Sequence, residues 1–239
     1  MKAKELFDDI RKHCKANADA KIVKKYSKFF TEGYDAYGLT SEKHESKVRS
    51  LIDENKISIK LLISASKLLV KSGKYEETSF AICLLSEFSD KFNEKTLAGI
   101  ESWFQIGIIN WAHCDVLCGR LMTPLFEKNL IKLNDLSGWR TAKNKYQRRA
   151  VPVAMLELLK TRKNYKPLFK FIEPLMMDPE KKVQQGLGWF LREAWKIKSK
   201  DTESFLLKWK DKAPRVIFQY ATEKMTAQQK KRFRRNKNK

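Results

Sequence analysis

The chain has little of what punctuates or cross-links a protein: nine Gly, six Pro, four Cys and three His in 239 residues. So few Gly and Pro leave long uninterrupted segments, which argues against a fold of many short strands and tight turns. Cys14, Cys83, Cys114 and Cys118 are irregularly spaced in a chain too long to need stapling, so a disulfide framework is excluded and reduced, mostly buried thiols are expected. With histidine only at positions 13, 44 and 113, a Cys-His catalytic pair has few places to come from. No apolar run reaches the roughly 18 residues of a membrane span. The opening MKAKELFDDI carries acids where a signal peptide would be apolar, so an intracellular protein with no membrane association is expected. Acids are in deficit as well: 28 Asp and Glu against 50 Lys and Arg give +22, more than solubility needs. Such a field suits a polyanion, either nucleic acid or an anionic membrane.

What is abundant is apolar surface, 42% of residues with six Trp and 14 Phe, enough to fill a core. It recurs with helical period: Leu61, Leu62, Leu68, Leu69 and Val70 suit stacked helices, as do Phe80, Ile82, Leu84, Leu85 and Phe88. The stretch DPEKKVQQGLGWFLREAWK reads as a helix with Asp178 as N-cap, Pro179 at its first position, acids early and bases late. No β-hairpin signal is present. The expected fold is all-α.

Three helical windows, NWAHCDVLCGRLMT from 110, QRRAVPVAMLELLK from 147 and QQGLGWFLREAWKI from 184, stand 37 residues apart, and YEETSFAICLLSEF from 75 is a looser relative. A fixed period near 40 predicts a curved α-solenoid of HEAT-like repeats with a basic concave face. In that register Trp111, Arg148 and Gln185 share one position, and Asp115, Pro152 and Trp189 the position one turn on. Trp111, Asp115, Arg148 and Trp189 are therefore expected on one side of adjacent helices.

NWAHCD, residues 110 to 115, poses the sharpest question, because it combines Trp, His, Cys and Asp, with Cys118 just beyond. His113, Cys114 and Cys118 lie at i, i+1 and i+5, directions that spread around a helix, so zinc ligation is disfavoured. Cys114 and Cys118 do share a face, which close packing on a neighbouring helix explains without chemistry. His113 reads as a surface or satisfied packing residue.

Taken in order, NWAHCD, YQRRA around Arg148 and LGWFLREAWK at 187–196 resemble the corresponding helices of the AlkD-like DNA alkylation repair glycosylases, which are HEAT-like-repeat proteins. The resemblance runs from roughly residue 5 to residue 226, and GWFLRE is its most specific piece. It implies excision of cationic alkylpurines such as 3-methyladenine and 7-methylguanine from double-stranded DNA, by a monomer needing no metal and no cofactor, in the cytoplasm of a bacterium where DNA binding ties it to the nucleoid. Carried over residue by residue, it implies Asp115 as catalytic carboxylate, Trp111 and Trp189 as sugar-facing indoles, and Arg148 as a phosphate contact. Arg149, Arg140, Lys143, Lys145 and Arg192 lie near those motifs and are expected to grip the DNA backbone as well. The resemblance further implies a duplex held against the concave surface, with the damaged base outside any snug pocket.

Three departures stand out. The pattern Trp-Asp-x-x-Asp keeps its second acid but has Ala112 for its first, a DNA-facing tyrosine falls at Phe29 with Tyr26 one turn away, and Pro152 interrupts the Arg148 helix. Residues 1–227 are expected to form one domain and 228–239, with seven bases in KKRFRRNKNK, a disordered basic tail. The alternative function is a noncatalytic HEAT-like protein recognising bent or branched DNA. Asp115 separates the two, since a pure binder gains nothing from an acid facing phosphates.

Overall fold

The computed structural model describes residues 1–53 and 57–236, and every element among them is helical. The all-α expectation holds. The chain divides into two compact units, Met1–Leu130 and Ile131–Lys239, where the sequence reading has one domain over 1–227.

The first unit comprises α1 (Ala3–Ala16), α2 (Ala20–Ser27), α3 (Ser41–Asp53), α4 (Ile59–Lys71), α5 (Tyr75–Ser86), α6 (Thr96–Ile106), α7 (Trp111–Leu117) and α8 (Thr123–Glu127), with a π-helical turn, Cys118–Met122, between the last two. Local chemistry sets the starts: Ser58 caps α4 by accepting from the Leu61 amide (3.2 Å), and Asn110 caps α7 by accepting from that of His113 (2.8 Å). Helix α4 packs on α1, α5 and α6, and α5 packs on α3, α7 and the π-turn, so helix pairs stack in two layers. Between them Leu62, Leu69, Val70, Phe80, Ala81 and Leu84 are fully buried, each large side chain contributing about 1.5–3 kcal/mol. Ile63 and Leu68, in the same apolar run, fall on the outer face and are 46% and 37% exposed.

The second unit comprises α9 (Lys145–Ala154), α10 (Leu158–Thr161), α11 (Lys166–Ile172), α12 (Lys181–Ile197), α13 (Ser199–Trp209), α14 (Arg215–Ala221) and α15 (Ala227–Lys231). Its centre is α12, packed by α9, α13 and α14. Pro152 does not end its helix: α9 continues to Ala154 with the proline ring buried, although Pro has no N–H to offer the Arg148 carbonyl.

Three expectations are corrected here. Helix α12 starts at Lys181 with Glu180 at the N-cap, while Asp178 closes the 3₁₀ turn Glu173–Met177 and turns its carboxylate elsewhere. The uniform 37-residue period also fails, because α7, α9 and α12 begin at 111, 145 and 181. Trp111 is thus the first residue of its helix, Arg148 the fourth and Gln185 the fifth, so the three do not share a register. Finally, the basic tail is folded as far as residue 236. Lys231 ends α15, Phe233 is 1% exposed, and Arg215 and Arg235 donate to the carbonyls of Phe233 and Ala213. One aromatic among the bases is enough to dock the segment; residues 237–239 lie outside the described part.

GWFLRE has a packing reason for its glycine. A Cβ on Gly188 would lie 2.4 Å from Tyr220 Cβ and 2.7 Å from the Ile217 carbonyl oxygen, so α12 crosses α14 with no room for a methyl group. Gly188→Ala should therefore destabilise the protein by at least the about 1–3 kcal/mol usual for overpacking. Gly119→Ala, with nothing within 4 Å of its added Cβ, should be neutral or slightly stabilising. Urea denaturation of the two variants checks this; equal effects would refute the close crossing.

Candidate active site

Trp111 opens α7, and its indole is held by a column of rings. The indole stacks on Phe30 (5.7 Å between centroids, 16°), Phe30 on Tyr34 (4.5 Å, 13°), and Tyr75 leans on both at 5.4 and 5.0 Å. His113 closes the column by stacking on Tyr75 at 4.4 Å, and Trp111 Nε1 donates to the Phe29 carbonyl at 3.2 Å. One turn on, Asp115 shares the Trp111 face of the helix, half-buried like it, whereas Ala112, His113 and Cys114 are buried.

The column stands because the segment between α2 and α3 is latched to α5. Glu76 accepts the amides of Tyr37 (2.8 Å), Gly38 (2.7 Å) and Leu39 (3.2 Å), and Glu77 pairs with Arg11 (2.8 Å) and accepts from the Tyr37 hydroxyl (2.8 Å). Gly38 must be glycine here, with φ of +84° and a would-be Cβ 2.2 Å from the Asp19 oxygen.

His113 is fully committed to packing. Asn110 Nδ2–H donates to Nδ1 (2.8 Å), so the proton sits on Nε2, which donates to the Tyr75 carbonyl (2.9 Å) with Ser79 Oγ at 3.2 Å. Burial pushes this imidazole down to about 4, against the carbonyl bond, which favours the proton. It is the satisfied packing residue of the two alternatives read from the sequence. Cys14, Cys114 and Cys118 are buried and Cys83 half-buried, all as free thiols; burial lifts Cys14 to about 12 and raises Cys83, the opposite of an activated nucleophile. Among the described residues no cluster of His, Cys, Asp or Glu could hold a metal ion.

In the second unit the bases are mostly engaged. Arg148 forms a bidentate pair with Asp178 (2.6 and 3.2 Å) and donates to the carbonyls of Ala142 (2.8 Å) and Lys143 (3.2 Å). Four of its five N–H bonds are thereby used, leaving one on Nη2. Arg149 is 6% exposed, its Nη1 donating to the Lys182 carbonyl at 2.6 Å. That corrects its expected place on the DNA backbone: Arg149 ties α9 to α12. Arg140 lies over the Phe171 ring (4.4 Å) and donates to the Ser137 and Phe171 carbonyls, both at 3.2 Å. Arg192 sits between Glu193 and Glu223, which hold it more firmly protonated against the opposing effect of burial. Lys145 lies 3.7 Å from Glu180, and Lys143 is exposed. Trp189 is half-buried on the outer stripe of α12 with Gln185 and Arg192, whereas Trp195 is bonded to Glu203 at 3.0 Å. The sequence reading missed Phe30, Tyr34, Tyr75 and Asp178, whose roles depend on contacts 30 residues or more along the chain.

The tautomer of His113 yields a pH signature. An ordinary histidine titrates near 6.5 and this one near 4, so between those values the unfolded chain takes up a proton that the folded chain refuses. The stabilisation is complete above pH 6.5 and is lost as pH falls toward 4. Half-buried His44, also lowered to about 4 chiefly by burial, acts in the same direction. Imidazole nitrogen NMR at pH 5.5 should still show His113 as the neutral Nε2–H form; titration near 6.5 would place the ring in solvent.

No helix among the described residues is long and apolar enough to cross a membrane. No curated protein matches the chain. Among solved structures it is similar to a predicted DNA alkylation repair enzyme from Enterococcus faecalis, with TM-score 0.75 and 17% identity over 88% of this chain and 98% of that one. It is also similar to AlkD2 from Streptococcus mutans, with TM-score 0.57 and 18% identity over 87% and 99%. At such identities the likeness establishes the helical-repeat fold. The family described as "DNA alkylation repair enzyme" matches residues 10–225, nearly the whole chain, and the protein belongs to that family.

Proposed function

We propose that the protein is a monofunctional, metal-independent glycosylase that hydrolyses the N-glycosidic bond of cationic alkylated purines, 3-methyladenine and 7-methylguanine, in double-stranded DNA. The observation that carries this reading is the half-buried Trp111–Asp115 pair on one face of α7, in a motif whose other reactive groups are buried in packing. A purine alkylated on a ring nitrogen is already a good leaving group, so no acid is needed to protonate it. What remains is to stabilise an oxocarbenium-like sugar and deliver water. A carboxylate supplies the opposing charge and orients the water, and an indole face attracts cationic character, contributing about 0.5–2 kcal/mol. Asp115 takes the first role, and Trp111 and Trp189 the second.

The phosphate grip is assigned to fewer bases than the sequence suggested. Lys143 is exposed, Lys145 is partly so, and Arg148, oriented by Asp178, keeps one Nη2–H to offer. The net charge of +22 supplies attraction for DNA that does not depend on its sequence.

Incubation with duplex DNA containing 7-methylguanine, in EDTA, should release free base and leave an abasic site. Asp115→Asn should reduce excision on the order of 10²–10³-fold, as when one electrostatic stabiliser is deleted. Binding to undamaged DNA should hold or tighten. Cys114→Ala with Cys118→Ala should excise at close to the native rate; an active Asp115→Asn beside a dead double-cysteine variant would revive a thiol mechanism.

For binding, Lys143→Ala should make the log–log salt dependence shallower by about 0.9, one phosphate's share. Arg149→Met should leave that slope unchanged while lowering thermal stability. A reversal between the two would return Arg149 to the DNA.

A further inference from the structure

The first unit contains a cavity of about 1050 Å³ bounded by residues from Ile22 to Arg120, none of which the excision chemistry uses except Trp111. Its volume is at the upper end for small-molecule sites, and its wall is rich in aromatic rings, as such sites are. Tyr34, Tyr75, Phe30 and Trp111 form one part of that wall as the packed column. Tyr26 and Phe29 add rings that are 42% and 52% exposed, an unusual state for two neighbouring aromatics. Flat apolar faces of this kind suit a planar heteroaromatic ring.

The cavity also contains two cations of a different standing from the other arginines. Arg11, Arg148, Arg192 and Arg232 all pair with carboxylates. Arg49 on α3 and Arg120 in the π-turn line the cavity, and among the described residues neither meets a carboxylate; Arg120 has only a long 3.5 Å bond to Ser86 Oγ. π-Turns recur at functional sites because the extra residue re-aims a side chain. Beside these cations stands His44, which also lines the cavity and whose buried Nε2 has no hydrogen-bond partner. Glu45 and Glu87 line it as well and would repel a chain of phosphates, leaving a single phosphate as the anion that fits.

We propose that this cavity binds one nucleoside monophosphate unit, its base against the aromatic wall and its phosphate on Arg49 and Arg120. The unit is either a free mononucleotide or one unpaired nucleotide of a strand. The proposal is independent of excision and stands or falls separately from it.

Calorimetric titration of the full-length protein tests it, with dGMP, guanosine, a duplex carrying a single bulged nucleotide, and the flush duplex. Saturable binding of dGMP is expected, with guanosine at least tenfold weaker. Arg49→Gln with Arg120→Gln should abolish the preference for dGMP over guanosine, and Arg49→Lys with Arg120→Lys should keep most of it. Both arginines are exposed, so melting curves should not move and misfolding is controlled for. Preference for the bulged over the flush duplex, competed by dGMP, assigns the ligand to a strand; dGMP binding without that preference assigns it to the free nucleotide. If neither dGMP nor the bulged duplex binds saturably, or if the glutamine variants bind dGMP as well as guanosine-insensitive wild type does, the proposal is overturned.

Discussion

Two adjacent buried carboxylates hold the first unit's site together. Glu76 and Glu77, 5% and 0% exposed in the first turn of α5, would each carry a desolvation penalty of several kcal/mol if unpaired. Every acceptor position is instead put to work. Glu76 gathers three consecutive amides, and Glu77 takes Arg11 and the Tyr37 hydroxyl, which hold its carboxyl below the usual range against its own burial. Because those amides and that hydroxyl belong to residues 37–39, the segment that brings Phe30 and Tyr34 onto Trp111 has one available path. The indole's orientation thus traces to ion pairing on a helix that it does not belong to.

The same logic appears in the second unit, where an arginine that looks like a phosphate contact is first of all a partner for Asp178. Charge in this protein divides by residue type. Arginine, planar and weakly hydrated, is drawn inward to carbonyls and carboxylates, as with Arg140, Arg148 and Arg149. Lysine, strongly hydrated, is left to make the outward field.

Helical period and the shortage of Gly and Pro made the all-α fold legible, and the Trp111–Asp115 spacing could be read directly because i and i+4 are local geometry. What could not be read is what lies far along the chain. Tyr75 and His113 are 38 residues apart, and nothing in NWAHCD shows that its histidine is sealed beneath a tyrosine. Asp178 followed by Pro179 is a good local N-cap pattern, yet an arginine 30 residues upstream outcompetes the helix terminus for its carboxylate. The 37-residue register failed for a related reason: helix starts answer to local caps such as Asn110 and Asn144, which need not keep step with a repeat.

The docked C-terminal segment changes what can be removed from this molecule. In composition, KKRFRRNKNK looks like detachable charge. Phe233, however, is part of the second unit's interior, and Arg232 and Arg235 bond to Glu203 and the Ala213 carbonyl. Cutting the chain before residue 233 would open a hole the size of a benzene ring in a hydrophobic core, so electrostatic reach and structural integrity cannot be trimmed independently.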